Sequence, residues 1–270
     1  MRGLAFLLTL LAGLSHAHAK TSLDGNLVQG GLVIGHAEPG STVVLDGRTV
    51  RVDADGLFVL GFHRDAAATA ELTVTGPDGK VERRTLAIAP REWNIQRIDG
   101  LPKTMVTPPP EVLERIRREN AEIAAVRRID RPEALFRSGF AWPATGRISG
   151  VYGSQRILNG EPRQPHYGVD IAAPVGTPVK APADGVVVLA ANDLYYTGGT
   201  VILDHGHGLS SAFLHLSAVT VKVGDRLRQG EVLGKLGATG RATGPHLDWR
   251  MNWFEERIDP QLLVPPMPGS

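Results

Sequence analysis

Short apolar runs broken by turn residues dominate the chain from residue 20 to about 100. Thr42–Leu45, Thr49–Val52 and Leu57–Leu60 are such runs, and Asp46-Gly47, Asp55-Gly56 and Asp78-Gly79 are hairpin-type dipeptides between and beyond them. This pattern predicts a small, Ig-like β-sandwich. Residues 101–133 change character. Pro102 and Pro108 to Pro110 read as a linker, with Thr107 a cap for a helix from Glu111 to about Arg128, where Val112, Ile116, Ile123 and Val126 recur at near-helical spacing. Arg115, Arg117, Arg118, Arg127 and Arg128 give that helix a basic face, read as solvated. From about Phe136 the two-residue period returns. Strands are expected at Gly168–Ile171, Gly185–Ala190, Thr200–Asp204, Ser211–Leu216, Val232–Leu236 and His246–Met251, with glycine-rich turns between them. Without intervening helical periods, residues 134–270 read as a mostly antiparallel β domain.

Residues 1–19 stand apart. Arg2, an apolar run from Leu4 to Leu14 and Ala17-His18-Ala19 make a secretory signal pattern, with a mature start at Lys20. Nothing later is long and apolar enough to span a bilayer. The expected location is periplasmic or secreted. Losing Arg2 takes the 29 basic residues to 28, equal to the 28 acidic ones, so the mature chain is formally neutral and nucleic acid is an unsuitable partner. There is no cysteine, so any metal must be held by His, Asp or Glu.

The chemistry concentrates in the second β domain. His166-Tyr-Gly-Val-Asp170 sets an imidazole and a carboxylate four residues apart, with Gly168 expected to let the backbone bend. His246-Leu247-Asp248 puts two polar groups on one face of a strand, with Leu247 turned into a core. Either motif alone reads better as a surface pair or a hydrogen-bonded core histidine than as a metal site. His36 and His63 lack metal-like spacing and read as surface residues, while His205 and His207 read as loop residues supporting the site.

Gly150-Val-Tyr-Gly153, Pro165-His-Tyr-Gly-Val-Asp-Ile171, Val175-Gly-Thr-Pro-Val179, Ala181-Pro-Ala-Asp-Gly185, His215-Leu-Ser217, Val223-Gly-Asp225, Gly234-x-x-Gly237 and Thr243-Gly-Pro-His-Leu-Asp-Trp249 follow in order. Together they resemble the LytM or lysostaphin-type peptidase domain, the M23 family of zinc endopeptidases acting on peptidoglycan. The resemblance covers about residues 138–257. The segment from Arg91 through the proline linker is similar to Gram-negative members with an N-terminal β domain. The resemblance implies one Zn²⁺ held by His166, Asp170 and Asp248, with His215 and His246 as catalytic histidines, and hydrolysis of peptide bonds in peptidoglycan stems or cross-links. Asp248 stands where the family has histidine. Two carboxylates would formally neutralise a bound dication, and the extra oxygen ligand opens the site to manganese or magnesium. Two rival functions remain at this point. One is a weakly active or inactive domain that binds cell wall or activates other hydrolases, with an amidase or envelope protein as partner. The other is a biotinyl/lipoyl-type carrier, disfavoured because no Met-Lys or Asp-Lys pair offers the modifiable lysine.

Overall fold

The computed structural model describes residues 21–98, 110–158 and 160–268. The expected leader and the Thr107 cap lie outside the described residues. The first unit comprises β1 (Ser22–Gly25), β2 (Leu32–His36), β3 (Thr42–Leu45), β4 (Arg48–Val50), β5 (Leu57–Gly61), β6 (Thr69–Thr75) and β7 (Val81–Ala87). They pair as two antiparallel sheets, β1-β2-β5 and β4-β3-β6-β7. In β6, Ala70, Leu72 and Val74 are buried while Thr69 and Glu71 are exposed, the alternation of a sheet with one wet face. All five residues of β5 are buried. Its far side meets the second half of the chain, where a Cβ on Gly61 would lie 2.7 Å from the Trp253 Cβ.

β8 (Ile95–Ile98) precedes a 3₁₀ turn at Pro110–Val112 and helix α1 (Leu113–Arg127). Then follow β9 (Arg147–Gly150), β10 (Gln155–Leu158), β11 (Glu161–Pro162), β12 (Val169–Ala172), β13 (Pro178–Lys180), β14 (Gly185–Leu194), β15 (Gly198–Gly206), β16 (Leu209–Val219), β17 (Arg226–Leu227), β18 (Val232–Leu236), β19 (Leu247–Trp253) and β20 (Glu256–Ile258). Ten of these strands form one sheet with the path β17-β14-β15-β16-β19-β12-β9; β18 pairs with β13 and β16, and β20 with β19. β8 pairs in parallel with β10, tying the first unit to the second. Arg64 Nε donates to the Gly153 carbonyl at 3.0 Å, and Arg91 Nη2 lies 2.8 Å from the buried Asp259 carboxylate. One continuous apolar core runs through both units.

The large sheet has two unlike faces. Phe213, Trp249, Met251 and Trp253 turn into that main core. Residues paired across antiparallel strands share a face. The register Leu189↔Ile202, Ile202↔Ala212, Ala212↔Arg250, Leu214↔Asp248 and Asp248↔Asp170 therefore lines up the other face. At one end that face is a small apolar cluster of Leu189, Leu194, Ile202, Ala212 and Leu214, covered by Ile123 and Val126 of α1. At the other end it becomes charged. The basic side of α1 is not uniformly solvated, as the sequence suggested: Arg127 is half-buried. Arg128 Nε, 3.3 Å from Glu255, sets the helix end against the β19–β20 turn.

Candidate metal centre

The charged end of the face gathers the predicted residues. His166 leads into β12, Asp170 is on β12, and Asp248 lies opposite Asp170 on β19. One ligand atom from each of these three residues can be chosen so that all lie within 4.8 Å of one another. His166 Nε2 and Asp170 Oδ1 face each other at 3.1 Å, yet both are buried and without an aligned hydrogen-bond partner. An imidazole nitrogen and a carboxylate oxygen side by side, with a third buried carboxylate next to them, form a donor set that suits a divalent cation once the ring is neutral. Asp170 and Asp248, two carboxylates directly opposed across strands, also repel each other unless a cation intervenes. By this test the residues fit a metal.

Two glycines make room for the carboxylates. A Cβ on Gly168 would come within 2.3 Å of Asp248 Oδ1, and one on Gly150 within 2.2 Å of Asp170 Oδ2. Gly168 therefore has a role the sequence reading misassigned. Its φ lies outside the left-handed region, and what it supplies is space rather than a bend.

The two catalytic candidates stand beside the centre. His246 Nε2 is 3.9 Å from Asp170 Oδ1, and the rings of His215 and His246 are 4.8 Å apart. Their Nδ1 atoms face backbone carbonyls, Thr239 for His215 and Gly244 for His246, each at 2.8 Å. A carbonyl can only accept, so the neutral rings carry their proton on Nδ1 and keep a lone pair on Nε2. Burial holds the His215 pKa below its ordinary value. His215 sits in a β16 bulge with φ 65°, a strained backbone for a non-glycine residue, of order 1–3 kcal/mol, that breaks strand alternation. For His166, burial works toward a lower pKa, but the Asp170 and Asp248 carboxylates outweigh it and the net shift is upward.

Arg250 is the residue the sequence reading missed. Its Nε lies 3.0 Å from both Asp248 oxygens and its Nη2 2.5 Å from Oδ2. Burial opposes ionisation of Asp248, yet the Arg250 charge keeps its pKa well below the usual carboxylate range. A carboxylate offers about four lone-pair positions, so the edge away from the guanidinium remains free. Strand alternation held the signal: Asp248 and Arg250 are two apart on β19 and must share a face.

His205 and His207 do not support this centre. His205 lies within β15 rather than in a loop, fully buried, with Nδ1 2.6 Å from the Asp184 carbonyl and Nε2 2.7 Å from Ser211 Oγ. His207, also buried, places Nε2 3.1 Å from the Pro132 carbonyl. Both serve the packing of the chain against the sheet, and burial lowers both pKa values.

Comparison with known proteins places these residues in context. The sequence profile described as peptidase family M23 matches residues 164–260. A Vibrio cholerae protein named peptidoglycan DD-endopeptidase ShyA is 42% identical over 106 residues, 39% of this chain and 24% of the relative. The Caulobacter vibrioides cell division protein DipM is 36% identical over 132 residues, 47% of this chain and 21% of the relative. The chain thus spans about a quarter of the length of these curated relatives. A crystal structure described as a putative peptidase M23 from Pseudomonas aeruginosa is 33% identical, with a TM-score of 0.68, over 88% of this chain and 95% of that one.

Proposed function

The chain belongs to peptidase family M23, and from that premise we propose that it is a metal-dependent endopeptidase cutting peptide bonds in the stems or cross-links of peptidoglycan. The observation that carries the proposal is the pair of buried, unpartnered atoms on His166 and Asp170, with Asp248 beside them and two histidines alongside. His166, Asp170 and the free edge of Asp248 would hold one Zn²⁺. When bound, that ion supplies Lewis acidity and a water of lowered pKa. Arg250 fixes the Asp248 carboxylate, much as outer partners orient metal ligands elsewhere. His246, with its Nε2 lone pair toward the centre, accepts the proton of the attacking water. His215, kept neutral by burial, exchanges protons with the substrate through its own Nε2. Once protonated, either ring donates to developing negative charge on the carbonyl oxygen or to the leaving amine.

The sequence pattern of residues 1–19 supports export, with the mature chain starting at Lys20 and working outside the cytoplasm. Among the described residues no helix is long and apolar enough to cross a membrane. The relatives' names, which include peptidoglycan endopeptidases, support the same substrate.

A second reading has its own observation: Arg250 already bonds both oxygens of Asp248. On that reading the centre holds metal poorly, and the domain binds wall or activates another hydrolase such as an amidase. Digestion of isolated peptidoglycan by the mature chain loaded with one equivalent of zinc separates the two. Cross-linked muropeptides should fall to monomers, a chelator should stop the reaction, and added zinc should restore it. Intact cross-links with fully loaded protein, cut only when an amidase is added, would favour the second reading.

A further inference from the structure

The three metal-ligand candidates are not held in place by the same means. Asp170 and Asp248 sit opposite each other in the β12–β19 ladder. That ladder begins at Val169, so it stops short of His166. The backbone of His166 is fastened instead to the turn at residues 150–154. Gly153 N–H donates to the His166 carbonyl, and His166 N–H donates to the Ser154 carbonyl, each at 2.8 Å. The same turn starts at Gly150, which packs against the Asp170 carboxylate. The first unit holds this turn from outside. Arg64, which follows β5 and is only 6% exposed, donates from Nε to the Gly153 carbonyl at 3.0 Å, and its Nη2 lies 3.4 Å from Gln155 Oε1. Gln155 N–H donates to the Asn94 carbonyl at 2.9 Å. Trp93 closes over Gly153, whose φ is 82°, and a Cβ there would come within 2.0 Å of Trp93 Cε3. The guanidiniums of Arg64 and Arg91 lie 5.0 and 4.7 Å from the Trp93 ring and hold the indole. A second contact comes from His63, whose ring is 5.7 Å from that of Tyr167, the residue after His166.

We infer that Arg64 of the first β unit is a positioning residue for the metal centre: through Gly153 and Ser154 it sets where His166 stands relative to Asp170 and Asp248. The two carboxylates are placed by strand pairing inside the second unit, and the imidazole is placed by a turn that the first unit grips. A buried carbonyl that loses a charged donor is left unsatisfied, and the turn must move to find another partner. His166 moves with it, because both of its backbone hydrogen-bonding groups are committed to the turn. Metal affinity depends on ligand atoms held within a few tenths of an ångström, which is the service that outer partners give. The first unit is thus a working part of the metal centre and not only a module joined to it.

The inference rests on the metal-centre reading, and the test has one arm with metal and one without. In the first, zinc is titrated into metal-free wild type, Arg64→Met, Arg64→Lys and Gly153→Ala, with His205→Ala as a variant destabilised elsewhere. Arg64→Met should bind zinc about tenfold to a hundredfold more weakly, the usual effect of losing an outer partner of a metal site. Its cobalt-loaded form should show a changed visible absorption band, which reports ligand geometry. Arg64→Lys keeps a cation and a donor at this position and should recover part of the affinity. Gly153→Ala forces the turn away from Trp93, so it attacks the same contact from the other side and should weaken zinc similarly. It decides the matter alone where Arg64→Met does not fold. His205→Ala should bind zinc as wild type does, since lost stability by itself leaves the ligands in place. The second arm follows hydrogen exchange in the metal-free protein. The His166 amide should lose its protection in Arg64→Met while that of Val201, inside β15, keeps it. Wild-type zinc affinity and a protected His166 amide in the Arg64 and Gly153 variants would overturn the positioning role and keep the metal centre. A wild type that binds no zinc, with the His166 amide still released selectively by Arg64→Met, would overturn the metal centre and keep the hold of Arg64 on His166.

Discussion

His205 looks like His215 and His246 in sequence and differs from them in what its nitrogens do. His205 is enclosed, with both ring nitrogens bonded to Asp184 and Ser211. His215 and His246 each use Nδ1 on a backbone carbonyl, and Nε2 of His246 reaches toward Asp170. A ring held at both ends is a structural cross-brace. A ring held at one end is oriented for work at the other. The difference lies in the number of committed nitrogens rather than in burial, since His205 and His215 are both buried.

The contrast breaks most visibly on paired alanine substitutions. His246→Ala should lower kcat/KM by roughly 10²–10⁴, the range for losing a positioned proton acceptor, with little change in the unfolding midpoint. His205→Ala should do the reverse. It leaves Ser211 Oγ without its partner and opens a cavity, and a loss of roughly 2–4 kcal/mol is expected with normal turnover per folded molecule. Activity assays beside urea unfolding of both variants check the pair. A third substitution tests the space around the centre. Gly168→Ala sets a methyl against Asp248 Oδ1 and against the Trp249 carbonyl of the paired strand, so β12 and β19 must shift locally and zinc affinity should fall about 10–100-fold, measurable by competition with a chelating dye.

The smallest effect is on pH dependence. Burial lowers the folded-state pKa values of His205 and His207, while the unfolded chain has histidines near the usual ~6.5. Between those values the unfolded state binds more protons, so stability rises with pH there and is lost as pH falls below ~6.5. Thermal melts between pH 7.5 and 5 should show that loss, and His205→Gln should flatten it.

Much of this was legible in sequence because the strands alternate cleanly. Leu247 and Asp248 fell on opposite faces as the two-residue period requires, and β3 and β18 run over the residues the pattern marked. The helix was placed to within two residues at its start, where a 3₁₀ turn occupies Pro110–Val112. Three things were hidden for physical reasons. β8 and β10 pair in parallel across more than fifty residues, and no local pattern encodes a partner that distant. The His215 bulge breaks the alternation that would have predicted its direction. Arg250 was readable from its spacing to Asp248, but a charge two residues from a carboxylate on a strand looks like an ordinary surface pair until burial is known.

The most direct test of the account is a calorimetric titration of zinc into metal-free wild type, His166→Ala and Asp248→Asn. The asparagine keeps a polar partner for Arg250, so the fold survives the change. The account predicts one ion per chain in wild type, none measurable in His166→Ala, and affinity at least about tenfold weaker in Asp248→Asn. Equal affinity in wild type and Asp248→Asn would contradict the three-ligand centre, and no binding in wild type would contradict the metal centre altogether.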